Sequence, residues 1–442
     1  MSDIPIPRGF EQSLSVLSEA GRKELMEALE SEVPTSLRIN DRKWPYSMPG
    51  QKVNWSGQGY YLPERPIFNS DPLWHAGAYY VQEASSMIIG SVAKGLRAKF
   101  DRAIKGLDLC ASPGGKSTDL ASVLSDDDIL VSNEVISSRV RPLQENVLRW
   151  GKLNHFITNK DARYFKDHPG TFDLMVIDAP CSGEGMFRKD HKARQEWSQD
   201  LVKLCHARQV RILKDAWPAL NEGGFLIYST CTFNEIENEQ TISTFLQEHD
   251  AEIVNFEFER DWSLVEADTG FFRMFPHLCK GEGFSFCVLK KLRAEEVPKW
   301  RRTSQEKAKS REIYGLNLLE IGGKLFPASQ DLIVQLDVLS PGMELGSFKK
   351  EKFIPSHRLA MLSHEAVEIN CHQSALSYSQ SMQFLRKETF DLAGERGFTL
   401  LKYKDQSLGW INHLGNRFNN LYPTNMRVLT RAVYNEDPNI LI

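Results

Sequence analysis

Two cysteines of this chain stand in separate loops, each directly after an apolar run that reads as a strand. Cys181 lies in LMVIDAPCSGEGMF (Leu174 to Phe187) and Cys231 in FLIYSTCTFNE (Phe225 to Glu235). Upstream, CASPGGK (Cys110 to Lys116) is a small-residue turn between another apolar run and a helix pattern. Together they point to methylation of a pyrimidine carbon through a covalent cysteine adduct. Cytosine C5 does not take a methyl group unaided, but addition of a thiolate at C6 makes the ring an enamine with an electron-rich C5. Loss of the C5 proton after transfer then expels the sulfur. Such a site needs a nucleophile, an acid at N3 and a route for the proton. Cysteine suits the first role because it is partly ionised near neutral pH, more so in an electropositive pocket. Asp178 stands three residues before Cys181, so one loop can bring a carboxyl group and a thiol to the same base. Spacing leaves open which thiol attacks. Cys110, Cys205, Cys279, Cys287 and Cys371 read as core residues, with Cys110 also at the cofactor turn.

The turn itself calls for a ligand. In open parallel sheets, ligands bind beyond the carboxyl ends of the strands, where tight turns bring backbone amides close. Cys110, Ala111, Ser112, Pro113, Gly114, Gly115 and Lys116 form such a turn. It is not a phosphate-binding G-x-x-x-x-G-K-[ST] loop, because the place five before Gly115 is Cys110. Glu134 ends the next strand pattern, 26 residues after Asp108, where an acidic side chain accepts hydrogen bonds from ribose hydroxyls. Asp161 follows the third strand and is the candidate for the adenine side. Asp178, after the fourth, borders both cofactor and reacting base. A nucleoside cofactor is therefore expected. No metal is expected, since the seven cysteines contain no C-x-x-C pair.

The elements that must hold these residues are legible between Ile104 and Lys291. Apolar runs at 104–110, 128–134, 154–159, 172–178 and 223–230 alternate with helix patterns at Lys116–Val123, Ser137–Trp150, Gln199–Leu220 and Glu235–Glu248. That alternation means a parallel sheet covered on both faces. A late strand, Gly283–Lys291, closes the region. Before it, Ser13–Ser31 has a helical apolar stripe of Leu14, Leu17, Leu25, Met26 and Leu29, and Pro34–Asn40 reads as a strand. After it, Lys290–Glu312 carries nine basic and four acidic residues and reads as a linker that can touch phosphate. Gly397–Pro423 reads as short strands joined by Asp, Gly and Asn turns. The expected units are an N-terminal extension (1–100), a methyltransferase domain (101–291), a basic linker (292–314), an intermediate domain (315–380) and a β-rich module (381–442). A chain of 442 residues has room for several cores. Its net charge of −4 announces no nucleic-acid partner, so positive charge for RNA must be local. With no signal-peptide pattern, no long apolar stretch and no disulfide framework, a cytoplasmic protein without membrane contact is expected.

At these residues the chain resembles the RNA cytosine-5 methyltransferase family of Nol1/Nop2/Sun type. The matching motifs are DLCASPGGKST, NEVISSR, DAR, DAPCSGEGMFR and YSTCTFNEIENE; SLRIN, YYVQEASSM and PHLCKGEGFSF are also similar. The resemblance spans roughly Pro34 to Lys291. It implies a Rossmann-like α/β methyltransferase sheet and S-adenosylmethionine (S-adenosyl-L-methionine) as cofactor, held by Cys110 to Lys116, Glu134, Asp161 and Asp178. It assigns attack on C6 to Cys231 and product release to Cys181. Asp178 would bond N3 of a flipped cytosine, with Lys116 helping to hold the base. SQSMQFLRKETF and SLGWINHLGNRFNNLYPTNMRV resemble the PUA-like module of bacterial RsmF-type enzymes. The resemblance implies that the N-terminal extension and the β-rich module bind RNA. Asn416, Arg417 and Asn420 are its candidate contacts, while Asn419 stands where the family more often has lysine. The implied activity is cytosine C5 methylation of 16S ribosomal RNA within the small subunit, not of DNA. The alternatives are the same chemistry on transfer RNA, or a non-catalytic ribosome-assembly factor that binds RNA.

Overall fold

A computed structural model describes residues 4–267, 269–294, 309–327, 343–362, 371–429 and 436–442. Most of the expected basic linker, residues 295–308, lies outside the described residues.

The central sheet is built as the alternation of apolar runs requires. Its strands are β4 (Lys105–Asp108), β5 (Ile129–Asn133), β6 (His155–Thr158), β7 (Phe172–Asp178) and β8 (Leu220–Thr230), all parallel in the order β8-β7-β4-β5-β6. Side chains of successive strand residues point to opposite faces. Met175 and Ile177 therefore join the core under the helices Gln199–Ala216 and Glu239–Leu246, through Leu213 and Phe245. Leu174 and Val176 join the opposite core, with Ile88 and Leu96 of the helix Ile88–Arg97 and Leu120 of the helix Gly115–Val123. Both faces are dry, which explains the near-continuous apolar strands.

Beyond β8 the sheet changes sense. β12 (Phe284–Lys291) runs antiparallel to β8, and β9 (Ala251–Ile253) and β11 (Phe272–Met274) pair antiparallel with it. β10 (Val265–Glu266) extends that edge. The sheet is thus mixed rather than parallel throughout.

Several expected boundaries move, each for a physical reason. The first helix is Glu19–Ala28, not Ser13–Ser31, because Ser18 accepts a hydrogen bond from Gly21 N and caps it there. Leu14 and Leu17 are buried all the same, in the turns before it. The helix expected to reach Leu220 ends at Ala216, and a short 3-10 turn follows at Pro218, which has no N–H to continue the ladder. The helix Ile88–Arg97, within the expected N-terminal unit, packs in the core of the central sheet. The linker expected to run to 314 ends before β13 (Lys309–Ile313), the first strand of a five-stranded antiparallel sheet, β13 to β17. The boundary expected at 380 falls inside the last unit. There β18 (His372–Ala375) pairs with β19 (Gly397–Tyr403), which is followed by β20 (Gln406–His413) and β21 (Phe418–Asn420).

The N-terminal sheet, β1 (Thr35–Ile39) flanked by β2 (Gly59–Leu62) and β3 (Tyr79–Val81), is fastened at two places. Arg38, buried on β1, donates to Thr118 Oγ1 at 2.7 Å and Ser122 Oγ at 3.0 Å and lies 3.4 Å from Asp119, all on the helix that carries Lys116. On the other side, Leu37, Ile39, Leu73 and Tyr79 share one apolar cluster with Met382, Leu385, Leu401 and Ile411 of the C-terminal unit. The C-terminal unit is therefore part of the same packed body, and deleting it would strip the N-terminal sheet of its cover.

Candidate active site

Because β7 and β8 are parallel neighbours, with Asp178 paired to Ser229, the loops leaving their carboxyl ends meet. Their thiols face each other. Cys181 Sγ lies 3.0 Å from Cys231 Sγ, both are free thiols, and both are half-buried. The Cys181 thiol is held well above its ordinary range, first by its hydrogen bond with Cys231 and then by burial. The two thiols share one hydrogen bond, and Cys181 resists ionisation.

Two buried carboxylates lock the loops together. Glu237 accepts from Ser182 N and Gln209 Nε2, each at 2.9 Å, from Ser182 Oγ, and from Asn234 Nδ2 at 2.9 Å. Glu184 accepts from Phe233 N at 2.8 Å, Asn234 N at 3.0 Å, Asn234 Nδ2 at 3.0 Å and Trp197 Nε1 at 3.1 Å. Each carboxylate thus comes from one thiol loop and binds the other. Buried charge is tolerated only where its hydrogen bonds are filled in this way. Close approach adds to the lock. A Cβ on Gly185 would lie 2.4 Å from Gly283 O, and one on Gly283 would lie 2.1 Å from Phe233 Cζ.

Across from the thiols, Lys116 Nζ donates to Asp178 Oδ2 at 2.9 Å, and Ser229 Oγ donates to Asp178 Oδ1 at 2.9 Å. Burial alone would lower the Lys116 ammonium, but the Asp178 charge and hydrogen bond outweigh it and leave the group raised. Its Nζ also sits 5.0 Å from the centre of the Phe284 ring. Gly114, at φ 115°, makes the left-handed turn that starts the helix and presents Lys116 one step later.

The sequence-expected residues line two cavities. One, of about 350 Å³, is bounded by Cys110, Ala111, Ser112, Pro113, Gly115, Lys116, Asp178 and Cys231, and on the far side by Tyr80, Glu83 and Phe284. The other, of about 380 Å³, is bounded by Cys110, Glu134, Val135, Ile136, Asp161 and Pro180. Cys110 lines both, and Gly114 and Cys181 line neither. Glu134 is buried, accepts from Ile136 N at 2.8 Å and lies 3.6 Å from Arg139. Asp161 accepts from Arg163 N at 3.1 Å, and that bond holds its carboxyl below the usual range. Beneath the turn, Asp108 accepts from Ser117 Oγ at 2.6 Å, and burial pushes its carboxyl up to about 7. Cys205, Cys279 and Cys287 are buried away from the thiol pair.

Glu184, Glu237 and Asn234 escaped the sequence reading. For Asn234 and Glu237 the signal was the run NEIEN (234–238) just past a strand end, too polar to start the helix expected at Glu235, whereas Glu184 had none. The helix begins only at Glu239. Among the C-terminal candidates, Asn416 and Arg417 are exposed. Asn420 is engaged inside the module, donating to Phe384 O at 2.8 Å and accepting from Tyr422 N at 2.9 Å.

A parallel sheet of order β8-β7-β4-β5-β6, an antiparallel edge and a ligand turn after β4 define a Rossmann-like methyltransferase fold. Solved structures agree. The methyltransferase homolog protein from Pyrococcus horikoshii is 25% identical, with a TM-score of 0.54, over 64% of this chain and 93% of that one. NSun6 from Pyrococcus horikoshii with SFG has a TM-score of 0.55 at 17% identity, over 66% of this chain and 99% of that one. Residues 99–290 match the family 16S rRNA methyltransferase RsmB/F. Residues 6–84, 312–362 and 371–428 match the N-terminal, first C-terminal and PUA domains described for RsmF. The ribosomal RNA small subunit methyltransferase F of Psychromonas ingrahamii is 31% identical, over 88% of this chain and 86% of the relative. That of Vibrio campbellii is 27% identical, over 95% and 97%. The chain belongs to the RsmB/F family of 16S rRNA methyltransferases, on the RsmF branch with its PUA domain.

Proposed function

We propose that this chain methylates C5 of cytosine in 16S ribosomal RNA, using S-adenosylmethionine and a covalent bond from Cys231 to C6. The observation that carries the reading is the thiol pair, 3.0 Å apart, with Cys231 lining a cavity walled by a Lys116–Asp178 ion pair and Cys181 behind it. A purely RNA-binding factor has no use for it. Among the described residues no helix is long and apolar enough to cross a membrane, in keeping with a cytoplasmic enzyme acting on the small ribosomal subunit. The PUA match and the exposed Asn416 and Arg417 support RNA, not DNA, as partner.

The cofactor fits the cavity beside the thiols. Glu134 and Asp161 would face its ribose and adenine, with Val135 and Ile136, about half exposed at 53% and 49%, covering the ring. Cys110, shared by both cavities, marks where the donor's methyl meets the base. S-adenosylmethionine, when bound, supplies an electrophilic methyl group to C5. The chain's residues do the rest. Cys231 attacks as the thiolate, its proton lost to water and Cys181 donating to the sulfur, and its Sγ bonds C6 as the C5–C6 double bond opens. Lys116, 2.9 Å from Asp178, supplies a proton through Asp178 to N3, which neutralises the negative charge that thiolate addition places on the ring. Cys181, having given its proton to water, takes the C5 proton as base; the C5–H electrons re-form the C5–C6 double bond and the C6–S bond breaks to release Cys231 as thiolate.

Two measurements test this reading. Glu134→Ala should weaken S-adenosylmethionine binding roughly ten- to a hundredfold, the loss of a charge-assisted hydrogen bond. Titration calorimetry with an unchanged affinity would remove Glu134 from the cofactor site. Bisulfite sequencing of total RNA, with and without the gene, should show a 5-methylcytosine of 16S RNA that disappears on deletion. Loss of the mark from transfer RNA alone would reassign the substrate.

A further inference from the structure

A third cavity shares part of its wall with the target cavity, and neither the thiols nor the cofactor turn lines it. It has a volume of about 400 Å³ and is lined by Arg65, Phe68, Asn69, Trp74, Tyr80 and Asn146, among others. Tyr80 and Val81 line both it and the target cavity, so only that strand separates the two. Its volume is within the roughly 300–1,000 Å³ of small-molecule sites.

The lining has the chemistry of a nucleotide site. Phe68 and Trp74 are half-buried aromatic rings, and base-on-aromatic stacking is the main sequence-tolerant grip on single-stranded RNA. Arg65 is exposed, lies 5.6 Å over the Phe68 ring, and is the one charged residue lining the cavity among those described. Asn69 is exposed and offers an amide to a base edge. The rear wall is rigid. Arg149 stacks on Trp74 at 4.2 Å and donates to Asn146 Oδ1 at 3.1 Å, while Asn146 Nδ2 donates to Pro113 O of the cofactor turn at 2.9 Å. The cavity is thus tied directly to the turn beside the target.

A larger cavity of about 850 Å³ is also lined by Arg65, but it offers phosphate no net positive charge. Its Arg188 is neutralised by Glu282 at 2.9 Å, and the exposed Glu32 and Glu64 offset Arg65 and Lys280. The charge balance favours the smaller site.

We infer that the cavity of Arg65, Phe68, Asn69 and Trp74 seats the nucleotide next to the target cytosine, its base against the aromatic rings and its phosphate on Arg65. The inference rests on the proposed RNA methyltransferase activity and adds a subsite that selects the neighbouring nucleotide. It is tested on the full chain with 16S RNA purified from cells lacking the enzyme. Phe68→Leu keeps the volume and removes the ring, and should raise KM for RNA roughly five- to a hundredfold. Phe68→Tyr should restore it. Arg65→Ala, at an exposed position, should lower RNA affinity and flatten its salt dependence by about 0.7–0.9 in log–log slope, one phosphate contact. Calorimetric affinity for S-adenosylmethionine should stay at the wild-type value in each variant, reporting an intact fold. In 16S RNA transcribed with 4-thiouridine, ultraviolet cross-links should fall on peptides containing Phe68 or Trp74. Unchanged KM in Phe68→Leu, or cross-links that avoid those peptides, would overturn the subsite. Failure of the wild-type chain to methylate 16S RNA would count against the enzyme reading instead, and the cross-link map would still decide the subsite.

Discussion

Cys231→Ser is expected to abolish methyl transfer and leave no covalent protein–RNA complex, whereas Cys181→Ser is expected to accumulate one. A serine hydroxyl at position 231 is not ionised at neutral pH and cannot add to C6, so the loss should be on the order of 10⁴-fold or more. Serine at 181 leaves the Cys231 nucleophile in place. It still donates a hydrogen bond towards Cys231 and still allows attack and methylation. What it lacks is a base for the C5 proton, so the C6–S bond persists. The adduct should survive denaturing electrophoresis and carry label from the methyl donor. Geometry separates them in one respect, since Cys231 lines the target cavity and Cys181 does not, although their sulfurs are 3.0 Å apart. The asymmetry comes from their surroundings. Cys181 is held protonated by Cys231 and by burial, which suits it to give and later receive a proton. A structural role for both predicts matching outcomes in the two variants. An adduct from Cys231→Ser, and none from Cys181→Ser, would place the nucleophile after β7 instead.

Much of the sheet was legible because it is buried on both faces. Every run between Ile104 and Thr230 that reads as a strand is one, since a parallel strand covered by helices has no polar face to blur the pattern. Strand sense was not legible past β8. An apolar run such as Phe284–Lys291 looks the same in either direction, and only pairing shows that β12 is antiparallel. Domain edges were misplaced where cohesion is non-local. Nothing in the sequence near Leu37 announces that it will share a core with Leu401, more than three hundred residues away. The first helix shows the limit of periodicity. Leu14 and Leu17 fit the helical stripe and are buried, yet they lie in turns, and the deciding residue was the cap, Ser18.

The site was partly legible for the same reason. Two thiols that each follow a strand meet only if those strands are neighbours in the sheet, and β7 and β8 are. The glycine turn, Glu134, Asp161 and Asp178 lie at carboxyl ends of strands, as parallel sheets require. Glu184 and Glu237 were opaque. An acidic residue in a polar loop reads as solvated surface, but both are buried and filled by hydrogen bonds from the partner loop. Their role depends on two loops 50 residues apart arriving together. The neighbouring-nucleotide cavity was hidden likewise, since it joins Phe68 and Trp74 to Asn146 of another unit.

Asp178→Asn should lower the methylation rate about 10²- to 10⁴-fold, the usual contribution of a positioned acid or base. The substitution keeps the shape and still lets Ser229 Oγ donate to an oxygen, so the loops should stay in place. It removes the charge that pairs with Lys116 at 2.9 Å. In the native site that charge outweighs burial and keeps the Lys116 ammonium raised above its ordinary value, so it stays protonated throughout the neutral range. With asparagine, burial acts unopposed and moves the group the other way. A lowered ammonium is charged only below its new pKa. The residual activity should therefore fall as pH rises through the alkaline range, a limb the native enzyme lacks there. Single-turnover methylation across pH reads both effects. A rate within about tenfold of wild type would remove Asp178 from the chemistry at N3, given the 10² lower bound for such a group. A large loss with an unaltered pH profile would keep Asp178 at N3 and show that Lys116 holds its proton without it.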